Sequence, residues 1–134
     1  MLAKYPDKVK LVFKNFPLRN HKYAKKAAKA ALAAHAQGKF WEFHDLLFKN
    51  YNKLNDKKID EIISKLKLDK KAIYKKMKAR KIQAIIQKDL DEGVKASVRG
   101  TPTIYINGKL LRVRSLEGFK SIIEKELTKL TPKS

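Results

Sequence analysis

Val98-Arg99-Gly100-Thr101-Pro102-Thr103-Ile104-Tyr105-Ile106-Asn107-Gly108 is the stretch around which this chain is organised. A proline stands at the head of a short β-branched and aromatic run, and Asn-Gly closes it. Proline cannot donate to a sheet ladder, so it belongs at a strand's first residue, where its missing N–H does no harm. Thr103 to Ile106 therefore reads as a buried strand, and Asn107-Gly108 as a two-residue hairpin turn needing positive φ. Lys109 to Arg114 is the expected antiparallel partner. The Thr101–Pro102 bond is open to both isomers, since X–Pro costs only about 0.5–1 kcal/mol to hold cis; composition alone favours trans.

Working outward, Ser115 is placed to cap a final helix from Leu116 to about Leu130, with Phe119, Ile122, Ile123 and Leu127 inward and Pro132 beyond it. Near the other end, Val9 to Phe16 is apolar at nearly every position, has lysines only at Lys10 and Lys14, and is stopped by Pro17. Such a run reads as a buried parallel strand, with a half-buried edge strand as the alternative. Met1 to Tyr5 reads as the last turn of a helix, and Pro6-Asp7 as the turn into that strand.

Four helices are expected between the two strand regions. Asn20 is a good N-cap for a helix from His21 to Gln37, and Gly38 a good residue to end it. Its inner face is small: Ala24, Ala27, Ala28, Ala31 and Ala34. Phe40 to Tyr51 carries an aromatic stripe (Phe40, Trp41, Phe43, Phe48, Tyr51) that reads as core. Asp56 caps a short helix with Ile59, Ile62, Ile63 and Leu66 inward. Asp69 caps the next, which runs to about Glu92 with a break near Arg80 and ends at Gly93. Its inner face is Ile73, Met77, Ile82, Ile85, Ile86 and Leu90. The expectation is a single α/β domain over 1–134, with a mixed sheet of about three strands, a four-helix insertion at about 20–95 and a C-terminal helix.

Composition narrows the function classes. At 134 residues the chain supports one core, and a hydrophobic fraction of 43% is near the globular average. No apolar run approaches the ~20 residues that span a bilayer, and the N-terminus carries no apolar signal-peptide core. There is no cysteine, so thiol chemistry, a disulfide scaffold and a thiolate metal site all lie outside this chain's own reach. The net charge of +20, from 33 basic and 13 acidic residues, favours nonspecific attraction to nucleic acid or other polyanions.

Few residues offer chemistry. His21, His35 and His44 lie on two helices without H-x-x-x-H spacing, and read as caps, packed rings or surface residues rather than metal ligands. Glu42 and Asp45 stand near His44, but no Ser or Cys nucleophile accompanies them in a recognisable motif. The glycines are too dispersed for a phosphate loop. The densest basic region, Lys70, Lys71, Lys75, Lys76, Lys78, Arg80, Lys81 and Lys88, lacks interleaved aromatics for base stacking and reads as a solvated face. No catalytic residue, metal or cofactor is assigned.

Taken in order, Val9-Lys10-Leu11-Val12-Phe13-Lys14-Asn15-Phe16-Pro17-Leu18 with His21, Gly38-Lys39-Phe40-Trp41-Glu42-Phe43-His44-Asp45-Leu46-Leu47-Phe48, Gly93-Val94, and Gly100-Thr101-Pro102-Thr103 running into Ile106-Asn107-Gly108 resemble the DsbA-like branch of the thioredoxin superfamily. That resemblance covers almost the whole chain. It implies a thioredoxin-like fold, a cis Thr101–Pro102 bond, and substrate binding at Gly100, Thr101 and Pro102, where an extended peptide or protein thiol substrate adds as a strand. It implies an exported, periplasmic or extracytoplasmic lineage, although no signal peptide stands in these residues.

The chain also departs from the family pattern. Members begin with a strand and a helix whose first turn carries Cys-x-x-Cys, whereas here the correspondence starts at that helix's last turn, Met1 to Tyr5. The expectation is a domain truncated at its N-terminus and redox-inactive as it stands. Two sheet edges would lack their partner, so the expectation is either that these two edges pair directly or that they pair edge to edge in a homo-oligomer. The alternatives are a basic nucleic-acid-binding protein, a structural remnant, or a miscalled fragment of a longer thiol- or selenol-dependent oxidoreductase.

Overall fold

The structure, a computed structural model, describes residues 4–112 and 114–130. The chain forms two compact units: Lys14–Ser97, and Met1–Phe13 together with Val98–Ser134.

The first unit is helical and comprises α1 (Ala24–His35), α2 (Phe40–Lys49), a 3₁₀ turn (Tyr51–Lys53), α3 (Asp56–Lys65), α4 (Lys70–Met77) and α5 (Arg80–Lys95). Its centre is α1, which packs against α2, α4 and α5. The alanines make that possible. Ala27, Ala30, Ala31, Ala33 and Ala34 are buried, a wider face than the one expected from spacing, because three neighbours surround this helix rather than one. Phe43, Ile59, Ile63, Ile73 and Ile86 are the large side chains that fill the space left by the small ones, each worth about 1.5–3 kcal/mol on burial.

Several boundaries differ from expectation. Asn20 does not cap α1; residues 18–24 instead make successive tight turns, His21 N to Leu18 O at 3.1 Å and Ala24 N to His21 O at 3.1 Å. Asn55, not Asp56, caps α3, its side chain accepting from Lys58 N at 2.7 Å. That frees Asp56 to pair with Lys26. Asp69 caps α4 as expected, accepting from Ala72 N at 3.2 Å. The break falls at Ala79, and α5 runs past Gly93 to Lys95. Ile85 lies on the outer side of α5 and is exposed. The aromatic stripe of α2 divides: Phe43 is fully buried, whereas Trp41, Phe48 and Tyr51 are exposed. At helical pitch one face cannot hold residues 40, 41, 43, 48 and 51 together.

Two helix ends share one solution. At Gly38 (φ +72°), Lys39 N bonds to Ala34 O at 3.0 Å and Gly38 N to His35 O at 2.9 Å. At Lys67 (φ 55°), Leu68 N bonds to Ile63 O and Lys67 N to Ser64 O, both at 3.0 Å. Both are left-handed caps that satisfy the last carbonyls of the helix. Between α3 and α4, the Tyr74 hydroxyl donates to Asp60; burial, then this carboxylate, push the phenol up to about 12.

The second unit contains β1 (Tyr105–Ile106), β2 (Lys109–Leu110) and α6 (Leu116–Leu130). The hairpin is antiparallel, pairing Tyr105 with Leu110 and Ile106 with Lys109. Asn107 (φ 48°) and Gly108 (φ 79°) form its turn, the double positive φ that Asn-Gly tolerates best. Leu111 N extends the pairing to Ile104 O at 2.8 Å. The strand is half-buried rather than buried: Tyr105 faces out while Ile104 and Ile106 are partly covered. Ser115 Oγ caps α6 by accepting from Gly118 N at 3.0 Å. Leu111 and Ile123 are the buried apolar residues of this unit among those described.

Val9–Phe16 does not form the expected strand. The described residues hold one sheet of two strands, not three. Leu11 and Val12 are 55% and 60% exposed. No described strand lies alongside them to complete a ladder, and an apolar run without a ladder has no reason to be sheltered on both faces. Met1–Ala3, part of the expected helix turn, fall outside the described residues; Tyr5 begins a turn, accepting from Lys8 N and Val9 N at 3.2 Å each.

Candidate functional site

Gly100, Thr101 and Pro102 lie together on the wall of an open groove of about 420 Å³. The loop that carries them is short because it is tied at both ends. Thr103 Oγ1 donates to Gly100 O at 2.6 Å, closing the turn around Pro102. Arg114, beyond β2, donates from Nη1 to Pro102 O at 2.8 Å. The Thr101–Pro102 peptide is cis. Pro102 precedes β1 by three residues, with Thr103 and Ile104 between them. Thr101, Pro102 and Thr103 are all exposed along the groove.

The lining also includes Leu110, at the end of β2, and Leu111 and Arg112 just past it. A smaller hollow of about 260 Å³ lies beyond it, between Leu110–Arg112 and the first turns of α6 at Gly118, Ser121 and Ile122. The hairpin is held to α6 by one carboxylate: Glu126 accepts from Lys109 at 2.9 Å, Lys129 at 3.2 Å and Asn107 at 3.4 Å. Those bonds, Lys109 foremost, draw Glu126 down to about 2. The hairpin is thereby anchored on α6, while the Arg114–Pro102 bond ties the loop to the segment that follows β2.

Three residues of the groove were not singled out from sequence: Arg99, Arg112 and Arg114. Their signal was available, because only five of the 33 basic residues are arginines and three of those five fall within sixteen positions. The histidines do not gather. His44 sits at 3.2 Å from Asp45 on α2 and packs beside Trp41 and Phe48, with ring centroids at 5.3 and 4.6 Å. His35 meets the edge of Phe40 at 6.4 Å. Among the described residues no group of three or more His, Asp or Glu side chains could hold a metal, and the groove presents no thiol or carboxylate. What this arrangement can do is bind: it offers an exposed loop beside a strand, a shallow apolar wall and three arginines, of which Arg114 is held by the Pro102 carbonyl.

Comparison with known proteins places these features in a family. The family model described as thioredoxin matches residues 1–125. A probable disulfide bond formation protein D of Bacillus cereus is 34% identical over 131 residues, covering 91% of this chain and 60% of that protein. The Na(+)/H(+) antiporter NhaA 3 of Salinispora tropica is 37% identical over 102 residues, covering 75% of this chain and 16% of the antiporter. The chain thus spans about a sixth of the antiporter's length and three-fifths of the disulfide bond formation protein's. The crystal structure of a thioredoxin-like oxidoreductase from Silicibacter pomeroyi matches with a TM-score of 0.74 at 24% identity, covering 89% of this chain and 68% of that one, a likeness of fold. Among the described residues, no helix is long and apolar enough to cross a membrane.

Proposed function

This chain belongs to the thioredoxin family, and from that premise we propose that it is a DsbA-like domain that binds extended peptide or protein substrates at Gly100, Thr101 and Pro102 without itself exchanging thiols. The observation that carries this reading is the exposed loop Thr101–Thr103, ahead of β1 and along the groove. An incoming strand would run alongside this exposed loop, and main-chain hydrogen bonds supply affinity in strand addition. The absence of cysteine from all 134 residues removes the nucleophile that disulfide exchange requires. Relatives named for disulfide bond formation support a protein substrate.

The test is a titration with a short unstructured peptide. Pro102→Ala restores an N–H and frees φ, letting the loop satisfy its own polar groups; we expect peptide affinity to fall by about tenfold, a loss comparable to one or two main-chain hydrogen bonds. Unchanged affinity removes the loop from the binding site.

We propose that the two units form one thioredoxin-fold domain with a helical insertion. Leu11 and Val12, exposed on a segment without a ladder, support self-association through that edge. Light scattering on Leu11→Lys beside the parent chain tests this, and a parent that is monomeric at high concentration contradicts it. The +20 charge supports, in addition, weak nucleic-acid binding that vanishes steeply with salt.

A further inference from the structure

We propose that the groove beside Pro102 selects acidic peptide segments, with Arg99 and Arg112 as the residues that read their carboxylates. This rests on the peptide-binding reading above and names the substrate class of that same site. The first observation is compositional. The chain uses lysine almost everywhere a cation is needed, so an arginine is a departure; three of its five arginines line this one groove. Lysine would serve as well for solubility. A guanidinium differs in presenting a planar fork of donors that matches a carboxylate with two parallel bonds.

The second observation is how the three are deployed. Arg114 is already committed to the Pro102 carbonyl at 2.8 Å and acts as a positioning residue for the loop. Arg99 and Arg112 are exposed, and neither forms an ion pair with a described carboxylate. Two acids of the unit are engaged elsewhere, Glu124 by Lys4 and Tyr5 and Glu126 by Lys109, Lys129 and Asn107, and Glu117, at the start of α6, is outside the groove lining. No carboxylate lines the groove, so nothing in its wall neutralises these two cations. They bracket it, Arg99 just before the Pro102 loop and Arg112 just past β2. A peptide strand laid along Thr101–Thr103 would carry side chains past both. Nucleic acid is the less fitting occupant, because no aromatic ring lines the groove to stack a base.

The experiment compares a short fluorescent peptide bearing Glu at alternate positions with the same peptide bearing Gln, at physiological ionic strength. The Glu peptide is expected to bind about tenfold more tightly, and the double variant Arg99→Gln/Arg112→Gln to reduce that ratio to about twofold or less. The control Lys75→Gln/Lys76→Gln removes the same charge from α4 and should leave the ratio intact. A ratio that survives in the arginine variant, or falls equally in the lysine control, assigns the preference to overall charge and overturns the inference. Equal binding of both peptides by the parent chain overturns the acidic preference alone. Binding of neither overturns the peptide-binding reading, and this inference with it. A single-stranded oligonucleotide that binds more tightly than the Glu peptide and is lost in the arginine variant also overturns it.

Discussion

Asp89 on α5 accepts two hydrogen bonds from Asn15 through a single oxygen: the backbone N–H and Nδ2 both reach Oδ2 at 2.9 Å. Both residues are buried, at 8% and 5% exposure. The main-chain donor of Asn15 is thus satisfied by a helix side chain and not by a neighbouring strand. Asp89→Ala strands two buried donors and should cost about 2–4 kcal/mol in urea denaturation, while Asp89→Asn, which keeps an acceptor, should cost about half as much. Lys14→Ala, removing an exposed lysine that pairs with Glu92 at 3.1 Å and reaches Asp89 only at 3.9 Å, should cost under about 1 kcal/mol. Equal losses for Asp89→Ala and Lys14→Ala would show that the buried pair contributes nothing beyond surface charge.

The two left-handed helix ends differ only in the residue that occupies them. Lys67 holds a conformation that favours glycine, so Lys67→Gly should raise stability by up to about 1 kcal/mol. Gly38→Ala should lower it by a similar ~1 kcal/mol. An added methyl at Gly38 meets nothing within 4 Å, which assigns the loss to backbone conformation rather than to a clash. Thermal melts of the two variants with the parent chain are the check.

Glu126 should titrate near 2, because Lys109, Lys129 and Asn107 all stabilise its charged form. Its pKa is depressed on folding, so its contribution is present in full above the ordinary glutamate value and is lost as pH falls through the folded one. The hairpin should therefore loosen from α6 between roughly pH 4.5 and 2. Carboxyl-carbon NMR titration reads the midpoint directly. Lys109→Gln with Lys129→Gln should move it back toward the ordinary value; a midpoint already near 4.3 in the parent chain would contradict the assignment.

Insulin reduction driven by dithiothreitol should proceed no faster with the purified 134-residue chain than with dithiothreitol alone. No side chain here can form the mixed disulfide through which exchange runs. Acceleration above that background would show a thiol-independent route.

The fold was legible in sequence where local chemistry decides it. Asn107-Gly108 and Ser115 behave as their residue types dictate, since a positive φ or a capping hydroxyl depends on near neighbours alone. The helices appear in the expected order for the same reason, through isoleucine spacing on α3 to α5. Val9–Phe16 was not legible, because a run of apolar residues becomes a strand only if another strand lies beside it, and that is a property of the whole sheet. The aromatic stripe of α2 misled for a related reason: composition marks Trp41 and Phe48 as apolar, but which of them is covered depends on helix rotation. At the candidate site, the proline and its place before a strand marked only a strand start, and Gly100–Pro102 became a candidate site through the family resemblance. Arg99, Arg112 and Arg114 were passed over because their clustering around one groove requires the hairpin to bring residues on either side of it together.

The most direct test of the account is amide chemical-shift mapping of the chain titrated with a short extended peptide. Binding at the Pro102 loop predicts perturbations at Gly100, Thr101, Thr103 and Ile104 and across the groove at Leu111 and Arg112, with the lysine-rich faces of α4 and α5 unmoved. Perturbations confined to those lysine faces, or none at all, would contradict it.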